Sequence, residues 1–145
     1  MDRTLGIGGS DAKRIIEGDW HTLWLEKTKR VEPVDLSDVL PVQMGITTEK
    51  LNIDWLEKAL VNEGYKDTEI KRDVTLEQKD FMMSHLDGHI VKPNIIVEAK
   101  HTYAMNTLEN VAQFYYCQLQ HYMMHSGANE TYLSVFFGNN EHKWS

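Results

Sequence analysis

Apolar positions along this chain change period twice, from helical spacing to alternation after Gly64 and back to helical spacing near Thr107. Gly8-Gly9-Ser10-Asp11 reads as a loop entering a helix, with Ser10 or Asp11 at the N-cap, Ile15 and Ile16 on the buried side and Gly18 as the stop. Residues 20–29 predict a second helix that sets Leu23, Trp24 and Lys27 on one face, before a polar loop containing Pro33. Over residues 43–62, Met44, Leu51, Trp55, Leu56, Ala59 and Leu60 carry a helical period, and Gly64 suits the C′ position. Residues 69–76, 81–91 and 95–100 then predict three strands, the last two joined tightly through Lys92-Pro93-Asn94. Over residues 107–125, Leu108, Val111, Ala112, Tyr115, Leu119, Tyr122 and Met123 turn inward; Gly127 ends that helix and residues 131–137 form a last strand. The order is that of a mixed α/β fold with a small sheet, in a single domain over residues 1–145.

Composition supports this: 145 residues, 41% hydrophobic and 26% charged, suffice for one domain with a core. Apolar runs such as Ile95-Ile96-Val97 fall far short of the ~20 residues a membrane helix needs, so no membrane partner is expected. No basic-then-apolar leader opens the chain, and the lone Cys117 provides neither a disulfide framework nor a four-cysteine metal site. A reducing cytoplasm and a buried, inert thiol are the corresponding expectations. With 15 Lys and Arg against 22 Asp and Glu, the net charge of −7 argues against nucleic-acid binding by a general basic surface. Acidic residues gathered around a cation remain compatible with a phosphate substrate, because the ion brings the positive charge with it.

The candidate chemistry lies in the second hairpin. A connection centred between Lys92 and Pro93 sets Asp87 opposite Glu98, and like charges facing each other across a ladder are unfavourable unless something neutralises them. A divalent cation does so, and hard oxygen ligands favour Mg²⁺, with Mn²⁺ as a substitute. Lys100, two residues from Glu98, shares its face and can assist a water nucleophile or offset charge on a transferring phosphate. Ala99 points away, but its backbone carbonyl is a further candidate ligand. The competing reading makes Asp87 part of a turn with Gly88, and Glu98 and Lys100 solvated charges at a strand end.

Taken together, Leu86-Asp87-Gly88 and Val97-Glu98-Ala99-Lys100 resemble the two halves of the PD-(D/E)XK nuclease signature. The surrounding chain is similar to the viral recombinase branch, the YqaJ and lambda exonuclease group. Ile7-Gly8-Gly9-Ser10-Asp11-Ala12 with Leu23-Trp24-Leu25-Glu26-Lys27-Thr28, Met44-Gly45 with Glu49, and Gln118-Leu119-Gln120-His121-Tyr122-Met123 with Gly127-Ala128 match that group in order.

The resemblance implies a restriction-endonuclease-like core with a small central mixed sheet flanked by helices. It also implies a Mg²⁺-dependent exonuclease digesting duplex DNA ends 5′ to 3′ in phage-type recombination, within a bacterial host cytoplasm. Asp87, Glu98, Glu49 and the Ala99 carbonyl would hold the metal, Lys100 would assist the attacking water, and Gln118 would orient a water or phosphate, supported by Tyr122. Ser10 would contact DNA phosphate, and Lys13 and Arg14 belong to the candidate DNA-facing surface. A single-strand annealing recombinase is the implied protein partner. Relatives form trimers, but this chain stops at Ser145 without the C-terminal elements that build the ring, which weighs against one here. The alternatives are an endonuclease or repair nuclease of the same superfamily, or a non-catalytic DNA-binding module.

On residue type alone, Ser10 is a good N-cap and Glu49 a surface helix charge. Gln118 is more telling, because it falls on the stripe Val111, Tyr115, Gln118, Tyr122 and there needs a partner. His121 and His125 have zinc-competent spacing without a third ligand. Phe114-Tyr115-Tyr116 reads as helix and core packing rather than a base-stacking platform.

Overall fold

Ile95, Ile96 and Val97 are all buried, so the strand that carries them must be covered on both faces and paired on both edges. In the computed structural model, which describes residues 1–138 and 145, that strand lies inside a four-stranded sheet. β1 (Lys71–Thr75), β2 (His85–Ile90), β3 (Ile95–Thr102) and β4 (Glu130–Phe137) stand in that order. β1 to β3 form an antiparallel meander, while β4 lies parallel to β3 along its whole length, from Ile95 beside Glu130 to Thr102 beside Phe137. Parallel pairing requires a crossover, supplied by α4 (Leu108–Ser126). Gly127 closes that helix in the left-handed region, φ 74°.

Helices cover both faces of the sheet. On one side α3 (Leu40–Asn62) buries Ile53 and Leu60 against Ile70, Ile90, Ile95 and Val97. On the other, Tyr122 of α4 packs with Leu86, Ile96 and Ala128. α1 (Gly9–Ile16) rests on α4, with α2 (Trp20–Lys27) beside it. This is the mixed α/β order expected from the sequence. Among the described residues, no helix is long and apolar enough to cross a membrane. Lys143 and Trp144 lie outside the described residues.

Several expectations about orientation fail for identifiable reasons. Gly8, rather than Ser10 or Asp11, is the N-cap of α1, because Asp11 turns its carboxylate back to accept from the Gly8 N–H at 2.9 Å. Ile15 and Ile16 are exposed, because the residues that α1 buries are Gly9 and Asp11, in its first turn. On α3 the helical period is right, and Leu60 and Leu56 pack into the core as expected, but the first half of the stripe is out of phase. Asn52 and Ile53 are buried there, while Met44, Leu51 and Trp55 are exposed, because a polar residue takes a core position. Phe114 and Tyr116 are exposed instead of packed in the core, and Cys117 is half-buried.

β2 begins at His85 rather than at Phe81, because residues 77–84 form a loop tied to α4 by two histidines. His121 Nε2 donates to the Met83 carbonyl at 2.9 Å. His125 Nε2 donates to the Glu77 carbonyl at 2.9 Å, which leaves Nδ1 to accept from the Ser84 hydroxyl at 2.8 Å. The spacing that could suit zinc is used to anchor this loop.

Candidate functional site

The β2–β3 connection has the register expected of it, with Gly88 opposite Val97, His89 opposite Ile96 and Ile90 opposite Ile95. Pairing stops there, one step short of Asp87 and Glu98, so the two carboxylates are not a directly opposed ladder pair. Where the ladder ends, Asp87 Oδ2 accepts from the Ala99 N–H at 2.9 Å, one residue further along β3. The side chain replaces a strand partner and fixes Asp87 beside Glu98.

Glu98 is 1% exposed, an unusual state for a glutamate. Its Oε1 accepts from Lys100 Nζ at 2.6 Å and from Gln118 Nε2 at 2.8 Å, while Oε2 is buried with no hydrogen-bond partner. The partner that the sequence demands for Gln118 is therefore Glu98, and the same amide donates to the Tyr122 hydroxyl at 3.1 Å. The i, i+2 spacing on β3 and the i, i+4 spacing on α4 bring all four groups together. α1 approaches this cluster so closely that a Cβ on Gly9 would come within 2.6 Å of the Tyr122 ring and 2.8 Å of Gln118 Cγ. Only glycine lets the helix start sit directly above the Gln118–Tyr122 pair.

Asp87 and Lys100 line two adjoining cavities. One, of about 340 Å³, also has Gly8, Gly9, Lys27, Glu98 and Gln118 in its walls. The other, of about 660 Å³, contains Glu49 and Tyr115. Lys100 Nζ stands 4.1 Å from the Tyr115 ring centroid, a cation–π contact that helps hold the ammonium between the cavities. Sequence reasoning assigns Tyr115 only to packing. It also misses Asn52 of α3, whose amide donates to the Lys100 and Ser134 carbonyls, each at 3.0 Å, and so ties β3 to β4 at the site.

Electrostatics set the cluster apart. Burial, with the nearby Asp87 and Glu49 charges, outweighs Lys100 and pushes the Glu98 carboxyl up to about 7. Burial also raises Asp87 and Glu49, the latter with help from the Asp87 and Asp73 charges. Burial works against the charged form of Lys100, but Glu98 and Asp87 outweigh it, and the ammonium is held above its ordinary range. Tyr122 is raised by burial and then by Glu98, so it remains a neutral phenol.

These shifts fix a sign. Folded Glu98 keeps its proton to about pH 7, whereas an unfolded glutamate loses it near 4.5, so between those values the folded state binds more protons. The stability of the metal-free protein should fall as pH rises through that window. Thermal melts in EDTA should show the midpoint dropping more steeply in wild type than in Glu98→Gln. Equal slopes would contradict the proton's placement.

The remaining candidates are more dispersed. Ser10 Oγ accepts from Arg3 Nη2 at 3.2 Å at the start of α1. Arg14 is engaged internally, with Glu26 at 2.6 and 3.1 Å and with Asp19 at 2.8 Å. Lys13 pairs with Glu17 at 3.0 Å and lies over the Phe114 ring, 3.6 Å from its centroid. Lys27 joins Asp11 at 2.6 Å.

Among the described residues, no three His, Cys, Asp or Glu side chains converge as a ready-made metal-binding set. Asp87 and Glu98 are nonetheless a hard oxygen pair, and the buried, unpartnered Glu98 Oε2 lacks the positive partner that a divalent cation would give it. The residues present therefore fit such an ion, with Glu49 in the adjoining wall.

When the chain is compared with known families, residues 1–129 match the YqaJ-like viral recombinase domain. No curated protein matches it.

Proposed function

The chain belongs to the family of YqaJ-like viral recombinase domains, and on that footing we propose that it is a Mg²⁺-dependent deoxyribonuclease that digests duplex DNA ends from 5′ to 3′ in phage-type recombination. The observation that carries this reading is Glu98, buried in the central sheet with one oxygen shared by Lys100 and Gln118 and the other unpartnered, next to Asp87.

In this reading Asp87 and Glu98 hold the ion, with the Ala99 carbonyl and Glu49 as further oxygen donors. A divalent cation at such a site polarises the phosphoryl oxygens and lowers the pKa of water. The rest is the work of this chain's own side chains. Lys100, anchored by Glu98 and Tyr115, places a positive charge where the phosphate becomes more negative in the transition state. Gln118 fixes the Glu98 oxygen that Lys100 uses, and Tyr122 fixes Gln118. The α1 N-terminus, with Ser10 and Arg3, presents positive partial charge to a neighbouring phosphate.

Linear duplex labelled at the 5′ or the 3′ end tests enzyme, metal and direction together. With Mg²⁺, labelled mononucleotide should appear early from the 5′-labelled substrate alone, and EDTA should stop its release. Cleavage that persists in EDTA would remove the metal from the mechanism. Nicking of a closed circle would replace the exonuclease with an endonuclease.

A further inference from the structure

We infer that the cleft where the end of β3 meets the first turns of α4 is a nucleobase subsite, which receives an unstacked base of the DNA strand whose phosphate lies at Lys100. The inference rests on the proposed function and adds to it the place where a base is held.

The cleft measures about 390 Å³, within the range of small-ligand sites. Tyr103, Phe114 and Tyr115 bring aromatic rings to its walls, and Asn110 adds an amide that can both donate and accept. Tyr103 is 66% and Phe114 56% exposed, although such rings gain most from burial. A base, flat and apolar on its faces with polar edges, matches that lining.

Charge selects the same occupant. The protein carries −7 overall, yet among the described residues no carboxylate lines this cleft, and its one fully charged lining group is Lys100. Lys13, ion-paired with Glu17, lies over the Phe114 ring. Such a cleft suits a base attached to an anionic backbone. It is also continuous with the candidate active site, since Lys100 and Tyr115 line both this cleft and the groove holding Glu49 and Asp87. A strand with its phosphate at Lys100 would have a neighbouring base within reach of these rings.

The test reads binding rather than cleavage, so its failure is distinct from failure of the proposed reaction. Fluorescence anisotropy in EDTA at low salt compares a labelled oligothymidylate with an oligomer of equal length made entirely of abasic nucleotides. Wild type should prefer the base-bearing oligomer by about 5- to 150-fold, the range expected for one stacked base. In Tyr103→Ala/Phe114→Ala that preference should shrink toward unity while abasic affinity stays constant and circular dichroism is unchanged. Tyr103→Phe should retain it. Equal wild-type affinity for the two oligomers, no measurable binding of either, or a preference that survives in the double variant would each overturn the subsite.

Discussion

In the Asp87→Asn protein, Mg²⁺-dependent DNA cleavage is expected to fall to background while the metal-free protein melts no earlier than wild type. The substitution keeps the shape and an oxygen that can accept from the Ala99 N–H, so the hydrogen bond at the end of the ladder survives. What disappears is a buried charge beside Glu98, whose ionisation burial opposes in the absence of a cation. Removing it relieves repulsion and lowers the affinity of the pair for a divalent ion. The activity loss should exceed the roughly 10- to 100-fold that loss of an outer-shell partner costs a metal site. Cleavage assays with a thermal melt in EDTA separate the two effects. Retained activity would exclude Asp87 as a metal ligand, and a large drop in melting temperature would make its role structural.

Replacing Asn52 by Leu should give the largest loss of stability. The side chain is 1% exposed and donates to carbonyls on two strands, those of Lys100 and Ser134, while its Oδ1 accepts from the Ser134 hydroxyl at 2.6 Å. Leucine fills a similar volume but donates nothing, and each buried carbonyl deprived of its donor costs about 1–3 kcal/mol. A loss of about 3 kcal/mol or more is expected, against about 0.5–1.5 kcal/mol for Ile53→Val at the next position. Chemical denaturation of the two variants measures the difference. Because the Lys100 backbone is one of the two attachments, kcat should fall more than KM rises. A variant as stable as Ile53→Val would show that β3 and β4 do not depend on this amide.

Central features of the site were legible because their signals are local. Ile95-Ile96-Val97 marks an interior strand, and strand periodicity alone puts Lys100 on the side of Glu98. The polar Gln118 on an apolar stripe announces a buried partner without naming it, and the fold supplies Glu98. Asn52 carried no such signal. It lies between exposed Leu51 and buried Ile53, and its partners are 48 and 82 residues away on strands whose pairing a helical period cannot reveal. The partners of the N-terminal basic cluster are hidden from the sequence for the same reason. Arg14 looks available in sequence but meets Glu26, twelve residues on, and Asp19 once α1 and α2 fold together. The aromatic run at 114–116 reads as helix and core packing because hydrophobicity does not tell which side of a helix a neighbour covers.

The hydrogen bond that ends the β2–β3 ladder also bears on which metal the protein would accept. Glu98 Oε1 already accepts from both Lys100 and Gln118, so Glu98 offers a cation a single-oxygen grip, while Asp87 Oδ2 gives one of its two lone pairs to the Ala99 N–H. Calcium, which favours six to eight oxygens and often takes a carboxylate through both, is poorly served by such a pair. Magnesium parts with its waters reluctantly and needs few protein ligands. Ion selectivity would then follow from oxygens already occupied in holding the sheet together.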